Sequence, residues 1–157
     1  FGTGSHSTTR LCLEWLSDTS LREASLLDFG CGSGVLGIAA SLLGAGHVVA
    51  IDNDPQAIKA TKENAKNNQV SAISIFLDQE PMGRFDIVIA NILSKPLIDL
   101  SAQLKRAVKQ GGSLVLSGLM EPQHAEVLEA YSTFKVCETR THDCWQLLHL
   151  KNLELNL

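Results

Sequence analysis

At 157 residues and 45% hydrophobic, the chain is long enough to bury a full core as one domain. A formal charge of -4 and a pI near 5.7 exclude a broad phosphate-binding face, so no direct contact with nucleic acid is expected. The cysteines Cys12, Cys31, Cys137 and Cys144 form no CxxC pair and have no histidine at ligand spacing. They read as reduced, buried thiols in a cytoplasmic protein without a metal site. No apolar run approaches the length of a membrane span and no signal-peptide pattern is present.

Residues 1–9 are polar and punctuated by Gly2 and Gly4, which predicts a loop. Ser7, Thr8 or Thr9 can cap a helix with Leu11, Leu13, Trp15 and Leu16 on its apolar face, ending near Ser17 and Asp18. The loop reads either as a flexible start or as a run of hydroxyls folded over a ligand. Ser25–Phe29 is a short apolar strand, suited to the centre of a parallel sheet. A glycine turn follows, and then a helix over Val35–Leu43 that stops at Gly44-Ala45-Gly46. His47–Ile51 is a second strand. Asp52-Asn53-Asp54-Pro55 leads into a helix with Pro55 in its first turn, reaching Asn67 or Asn68. Ala72–Leu77 and Phe85–Ala90 are the third and fourth strands. Pro96–Lys109 predicts one helix, with Leu97, Leu100, Leu104 and Val108 along a face and Gly111-Gly112 as its stop. Ser113–Leu116 is a fifth strand and Glu121–Tyr131 a helix. Phe134–Thr141 and Cys144–Leu150 close the chain as an antiparallel hairpin.

This alternation predicts an α/β fold: a Rossmann-like, doubly wound, mostly parallel seven-stranded sheet with a C-terminal antiparallel hairpin. Ligands bind such sheets beyond the carboxyl ends of the strands. That rule places Gly30–Gly34, Asp52, Asp78 and Asn91 along one rim.

Two nucleotide readings compete for the turn. Gly32-Ser33-Gly34-Val35-Leu36-Gly37 satisfies the dinucleotide pattern GxGxxG, with an acid about 20 residues on. The chain also carries Gly30 and, two positions earlier, Asp28. A pyrophosphate needs bare amides, whereas a cationic amino-acid zwitterion also needs a nearby carboxylate. Asp28 with Gly30, Gly32 and Gly34 therefore favours a methionine-bearing cofactor. Asp52 can accept from both ribose hydroxyls, with charge-assisted bonds contributing about 1.5–3 kcal/mol each. Asp54 is the better cap for the helix that opens at Pro55, which leaves Asp52 free for ligand. Asp78 reads equally as an acceptor for an adenine amino group or as a solvated turn acid. Asn91 ends a buried strand, where its amide needs partners that a ligand can supply.

The pattern Asp28-x-Gly30-x-Gly32-x-Gly34 resembles the first motif of class I S-adenosylmethionine-dependent methyltransferases. Further motifs occur in order: Phe1-Gly2-Thr3-Gly4-x-His6-x-Thr8-Thr9, Ile51-Asp52-x-Asp54-Pro55-Gln56-Ala57, Ala90-Asn91-Ile92-Leu93 and Leu116-Ser117-Gly118. Together they resemble the ribosomal protein L-eleven methyltransferase family of PrmA type, over essentially the whole chain. The resemblance implies that Thr9, Gly30, Asp52 and Asn91 contact S-adenosylmethionine, which leaves as S-adenosylhomocysteine. Asp28, Gly32, Gly34, Asn53 and Asp78 complete the expected cofactor set, with Asn91 as the catalytic orienter. His6 reads as a proton relay or as a plain polar surface residue. The implied reaction is trimethylation of lysine side chains and the terminal α-amine of a large-subunit ribosomal protein, by a cytoplasmic monomer. Members of the family carry an amino-terminal substrate-recognition domain, so this chain is expected to be the catalytic domain alone. The alternatives are a methyltransferase of RNA or small molecules, or a cofactor-binding domain inactive without its recognition domain.

Overall fold

Apolar strands alternate with amphipathic helices along the chain. In the computed structural model, which describes residues 5–154, helix α1 (Ser7–Ser17) precedes β1 (Ser25–Phe29). Then come α2 (Val35–Leu42), β2 (His47–Asp52), α3 (Pro55–Asn67), β3 (Ile73–Leu77) and β4 (Phe85–Asn91). Helices α4 (Ser94–Asp99) and α5 (Ser101–Arg106) lead into β5 (Val108–Met120). A 3-10 turn at Glu121–Gln123, α6 (His124–Ala130), β6 (Lys135–His142) and β7 (Trp145–Lys151) complete the fold. The strands lie in the order β3-β2-β1-β4-β5-β7-β6. β7 runs antiparallel to both its neighbours, and the other pairings are parallel. The mostly parallel doubly wound sheet and its closing hairpin are thus as expected.

Alternation along β4 divides the core. Ile87 and Ile89 pack with Leu11, Trp15 and Leu16 of α1 and Leu36 of α2. Val88 and Ala90 face the other way, against Leu97 of α4, Leu104 of α5 and Val127 of α6. A strand buried on both faces reads as a continuous apolar run, which is why Ile87–Ala90 is so conspicuous in the sequence.

Four expectations are corrected. Pro96–Lys109 is not one helix: the chain turns at Leu100 (φ -99°, ψ 10°) between α4 and α5. Asp99 and Ser101 flank that turn, and both side-chain types compete with helical backbone hydrogen bonds. The break keeps Leu97 and Leu104 in the core while Pro96, Leu100 and Gln103 line a cleft. Val108 belongs to β5, opposite Phe85, and Gly111-Gly112 forms a bulge rather than a helix stop. The bulge is tied down by Gly111 N–H donating to Asn152 O and by Asn152 N–H donating to Gly112 O. The cap of α1 is His6, not a hydroxyl: its Nδ1 accepts from Thr8 N–H at 3.2 Å. Ser7 instead donates to Asp143 at the tip of the β6–β7 hairpin, at 3.0 Å. Cys12 and Cys31 are buried, but Cys137 and Cys144 are exposed, because one lies on the edge strand and the other in the hairpin turn.

Asp78–Arg84 joins β3 to β4 without a helix, across two intervening strands. Most parallel crossovers carry a helix on the sheet face. Its absence leaves a shallow groove between strand side chains Val49, Ile51 and Phe76 and the connecting Met82. Among the described residues, no helix is long and apolar enough to cross a membrane.

Candidate active site

Three strand ends and one turn build the site. β1 ends at Phe29, and the turn Gly30–Gly34 carries the chain over the sheet rim into α2. Gly30, Gly32 and Gly34 all have positive φ, at 77°, 56° and 83°. At Gly30 a side chain is excluded twice over: the backbone is left-handed, and a Cβ would lie 2.6 Å from Ile92 Cγ2.

Asp52, the last residue of β2, is less free than its sequence context suggests. Oδ2 accepts from Gly32 N–H at 2.9 Å and Oδ1 accepts from Asp54 N–H at 3.0 Å. A carboxylate oxygen accepts two hydrogen bonds, so among the described residues each oxygen keeps one acceptor position open. Asp54 caps α3 as expected, accepting from Gln56 N–H at 2.9 Å. Asp78 follows β3 in the left-handed region (φ 47°), and its N–H donates to Asp52 O at 2.7 Å. An aspartate tolerates that conformation better than most residues. Gly30, Asp52, Asn53 and Asp78 line a cleft of about 540 Å³, roofed by Ile92, Pro96 and Leu100. Gln103 of α5 and Glu80 also line it, and Gln103 Nε2 donates to Glu80 Oε1 at 3.2 Å. The sequence does not point to Gln103, because Pro96–Lys109 predicts one continuous helix, and Glu80 carries no motif that marks it.

Beyond Gly30 lies a smaller recess of about 60 Å³, lined by Asp28, Gly30, Cys31, Gly32, Val35, Leu36 and Asn91. Asp28 is 1% exposed and accepts from Gly37 N–H, in the first turns of α2, at 3.0 Å. Burial pushes its carboxyl up to about 7, against the lowering effect of the Gly37 hydrogen bond, and the negative charge of Asp52 adds to the rise. Cys31 is pushed up to about 12, chiefly by burial and then by Asp28, so its thiol stays protonated.

Asn91 completes the recess. It ends β4 beside Ser117 of β5, and Ser117 O accepts from Ile92 N–H at 3.0 Å. Its Nδ2 donates to Oγ1 of the fully buried Thr9 at 3.2 Å. Among the described residues, that leaves Asn91 Oδ1 buried and without a hydrogen-bond partner. A buried amide oxygen with no partner costs about 1–3 kcal/mol, and a ligand donor would remove that penalty. Thr9 therefore stands behind Asn91 and fixes its amide. His6 engages its Nδ1 at the α1 cap and packs edge-on against Trp145, with ring centroids 5.1 Å apart. Of the expected loop, Phe1 to Gly4 lie outside the described residues. Among the described residues, no group of three or more His, Cys, Asp or Glu side chains is placed to hold a metal.

The family model described as ribosomal protein L11 methyltransferase (PrmA) matches residues 1–152. A ribosomal protein L11 methyltransferase of Ralstonia pickettii is 49% identical over 150 residues, which is 95% of this chain and 50% of that protein. The one from Bordetella parapertussis is 51% identical over 150 residues, or 95% of this chain and 49% of its own length. The chain thus spans about half the length of the curated relatives it matches. The solved structure of a ribosomal protein L11 methylase from Lactobacillus delbrueckii subsp. bulgaricus superposes with a TM-score of 0.89 at 30% identity, covering 96% of this chain and 81% of that one. An RNA methyltransferase from Salinibacter ruber, solved with S-adenosyl-L-homocysteine, shares the fold at a TM-score of 0.76 and 17% identity, covering 96% of this chain and 95% of its own. With a family model matched over nearly its whole length and relatives at half identity, the chain belongs to the ribosomal protein L11 methyltransferase (PrmA) family.

Proposed function

We propose that this chain is the catalytic part of a cytoplasmic, S-adenosylmethionine-dependent protein N-methyltransferase. Its acceptors are lysine side chains and the terminal α-amine of ribosomal protein L11. The observation that carries the reading is the unpartnered, buried Oδ1 of Asn91, set in the recess beside the glycine turn. The residues fit the cofactor. The turn has no Cβ at Gly30, so backbone and ligand can approach closely. The open acceptor positions of Asp52 suit a pair of ribose hydroxyls, and Asn53 and Asp78 border the cleft where the base would lie. Asp28 offers a carboxylate to positive charge at the recess end.

S-adenosylmethionine, when bound, supplies a methyl group already activated on a sulfonium centre. The protein's task is then to orient the acceptor and exclude water. A lysine amine, near pKa 10.4 in water, must be neutral to attack, and withdrawal from water favours its neutral form. Asn91 Oδ1 accepts an N–H of that amine and aims the nitrogen lone pair, while Thr9 keeps the amide from rotating. The neutral amine offers Asn91 Oδ1 an N–H in the first two transfers of a trimethylation and none in the third.

Incubation with methyl-labelled cofactor and a ribosomal extract should place label in a small basic ribosomal protein. Label in RNA overturns the substrate reading. In Asn91→Ala, transfer should fall by about 10²-fold or more, with cofactor affinity changing less than tenfold. An undiminished rate in that variant removes Asn91 from the mechanism.

A further inference from the structure

Helix α3 does more than join β2 to β3. Thr61 and Asn64, three residues apart, share the face turned to the glycine turn. Thr61 is fully buried, and its Oγ1 donates to Gly32 O at 2.9 Å while lying 3.4 Å from Cys31 Sγ. Asn64 Nδ2 donates to the next carbonyl, Ser33 O, at 2.8 Å. From β2, Asp52 Oδ2 accepts the Gly32 N–H. Two successive carbonyls of the turn are thus gripped by one helix and an amide by a neighbouring strand. The fit is close: at Gly34 an added Cβ would lie 2.7 Å from Thr61 Cγ2.

We infer that Thr61 and Asn64 are positioning residues, which hold the glycine turn in its cofactor-binding form by fixing the direction of its peptide groups. The inference rests on the S-adenosylmethionine reading above. In a planar trans peptide the C=O and the following N–H point in opposite directions. Turning the Gly32 and Ser33 carbonyls toward α3 therefore turns the Ser33 and Gly34 N–H groups away from it. Gly34 N–H closes the turn on Cys31 O at 2.8 Å. A flip of the peptide between Gly32 and Ser33 turns ψ of Gly32 and φ of Ser33, and at Gly32 no Cβ opposes it. Such a flip would present a carbonyl dipole to a ligand carboxylate in place of an N–H. The bonds from α3 oppose it.

The test compares Asn64→Ala, Thr61→Val and Thr61→Ser with the unaltered chain, by titration calorimetry with S-adenosylmethionine and by thermal melts without it. Alanine is a better helix residue than asparagine, so Asn64→Ala should keep its thermal midpoint while its dissociation constant rises about tenfold. Thr61→Val keeps the methyl packing and loses the donor, and it should weaken binding by a similar factor. Thr61→Ser keeps the donor and loses a methyl, and it should bind as the unaltered chain does even though it melts earlier. Unchanged affinity in both Asn64→Ala and Thr61→Val, or affinity that follows the melting temperature through all three variants, overturns the inference and leaves the cofactor reading standing. Absence of binding by the unaltered chain overturns the cofactor reading and this inference with it.

Discussion

Asp28 carries one charge that the folded protein is poorly placed to hold. Unfolded, its carboxyl ionises near 3.8; folded, burial beside Asp52 moves that to about 7. Between those values the native state keeps a proton that the unfolded state has released, so stability falls as pH rises. The contribution is full below pH 3.8, declines toward pH 7 and is absent above it. At 1.36 kcal/mol per pKa unit, the whole displacement amounts to about 4 kcal/mol. Asp28→Asn keeps an oxygen for the Gly37 N–H and cannot ionise. Urea unfolding at pH 4, 5.5, 7 and 8 should show the variant gaining on the unaltered chain up to pH 7 and then holding level. A difference that does not vary with pH would show that Asp28 is ionised throughout. A cation in the recess opposes the same shift, which is why a site for a positively charged cofactor can keep a carboxylate there.

Between elements, the β1 end and the β4 end leave no room for a side chain at Gly30, which borders both cavities and faces Ile92. Gly30→Ala forces a methyl against Ile92 Cγ2 at a left-handed backbone position, and should destabilise the fold by about 1–3 kcal/mol. Ile92→Ala removes that methyl's obstacle but not the backbone strain. In a double-mutant cycle, Gly30→Ala should therefore cost less in the Ile92→Ala background, by about 0.5–2 kcal/mol in chemical unfolding. Strict additivity would mean that Ile92 moves aside freely. Gly30 and Asp52 were legible in the sequence because the residue type at a strand end states the need: no Cβ at one, two acceptor oxygens at the other. The elements around them were less so. The break at Leu100 trades a regular helix for two buried leucines and a cleft roof, and local propensity does not see that exchange. Gly111-Gly112 has the composition of a helix stop, but its role depends on Asn152, far along the chain. The His6 cap is set by an imidazole nitrogen doing what a serine or asparagine usually does.

At the scale of the molecule, the described residues that line the two cavities come from this one sheet, the helices on it and the turns between them. The seven strands are continuous, and both faces carry buried clusters of their own. Cofactor affinity should therefore be a property of this chain, whereas its curated relatives are about twice as long. Binding energy from parts of a protein substrate remote from the reacting amine is commonly spent on orientation, so loss of such contacts lowers kcat as well as raising KM. Compared with a full-length relative, this chain should bind S-adenosylmethionine within about threefold of the same affinity, a difference under 1 kcal/mol. Its kcat/KM for ribosomal protein L11 should be lower by about 10²-fold or more, the size of a few lost interface contacts. Calorimetry with the cofactor and initial rates of label transfer, measured on both proteins, separate the two quantities. Equal kcat/KM would place substrate recognition within this chain, and the exposed Leu93 beside Asn91 would then be the first surface to alter. Weaker cofactor binding by this chain alone would mean that the remaining length of the relatives closes the cleft that Gln103 and Glu80 line here.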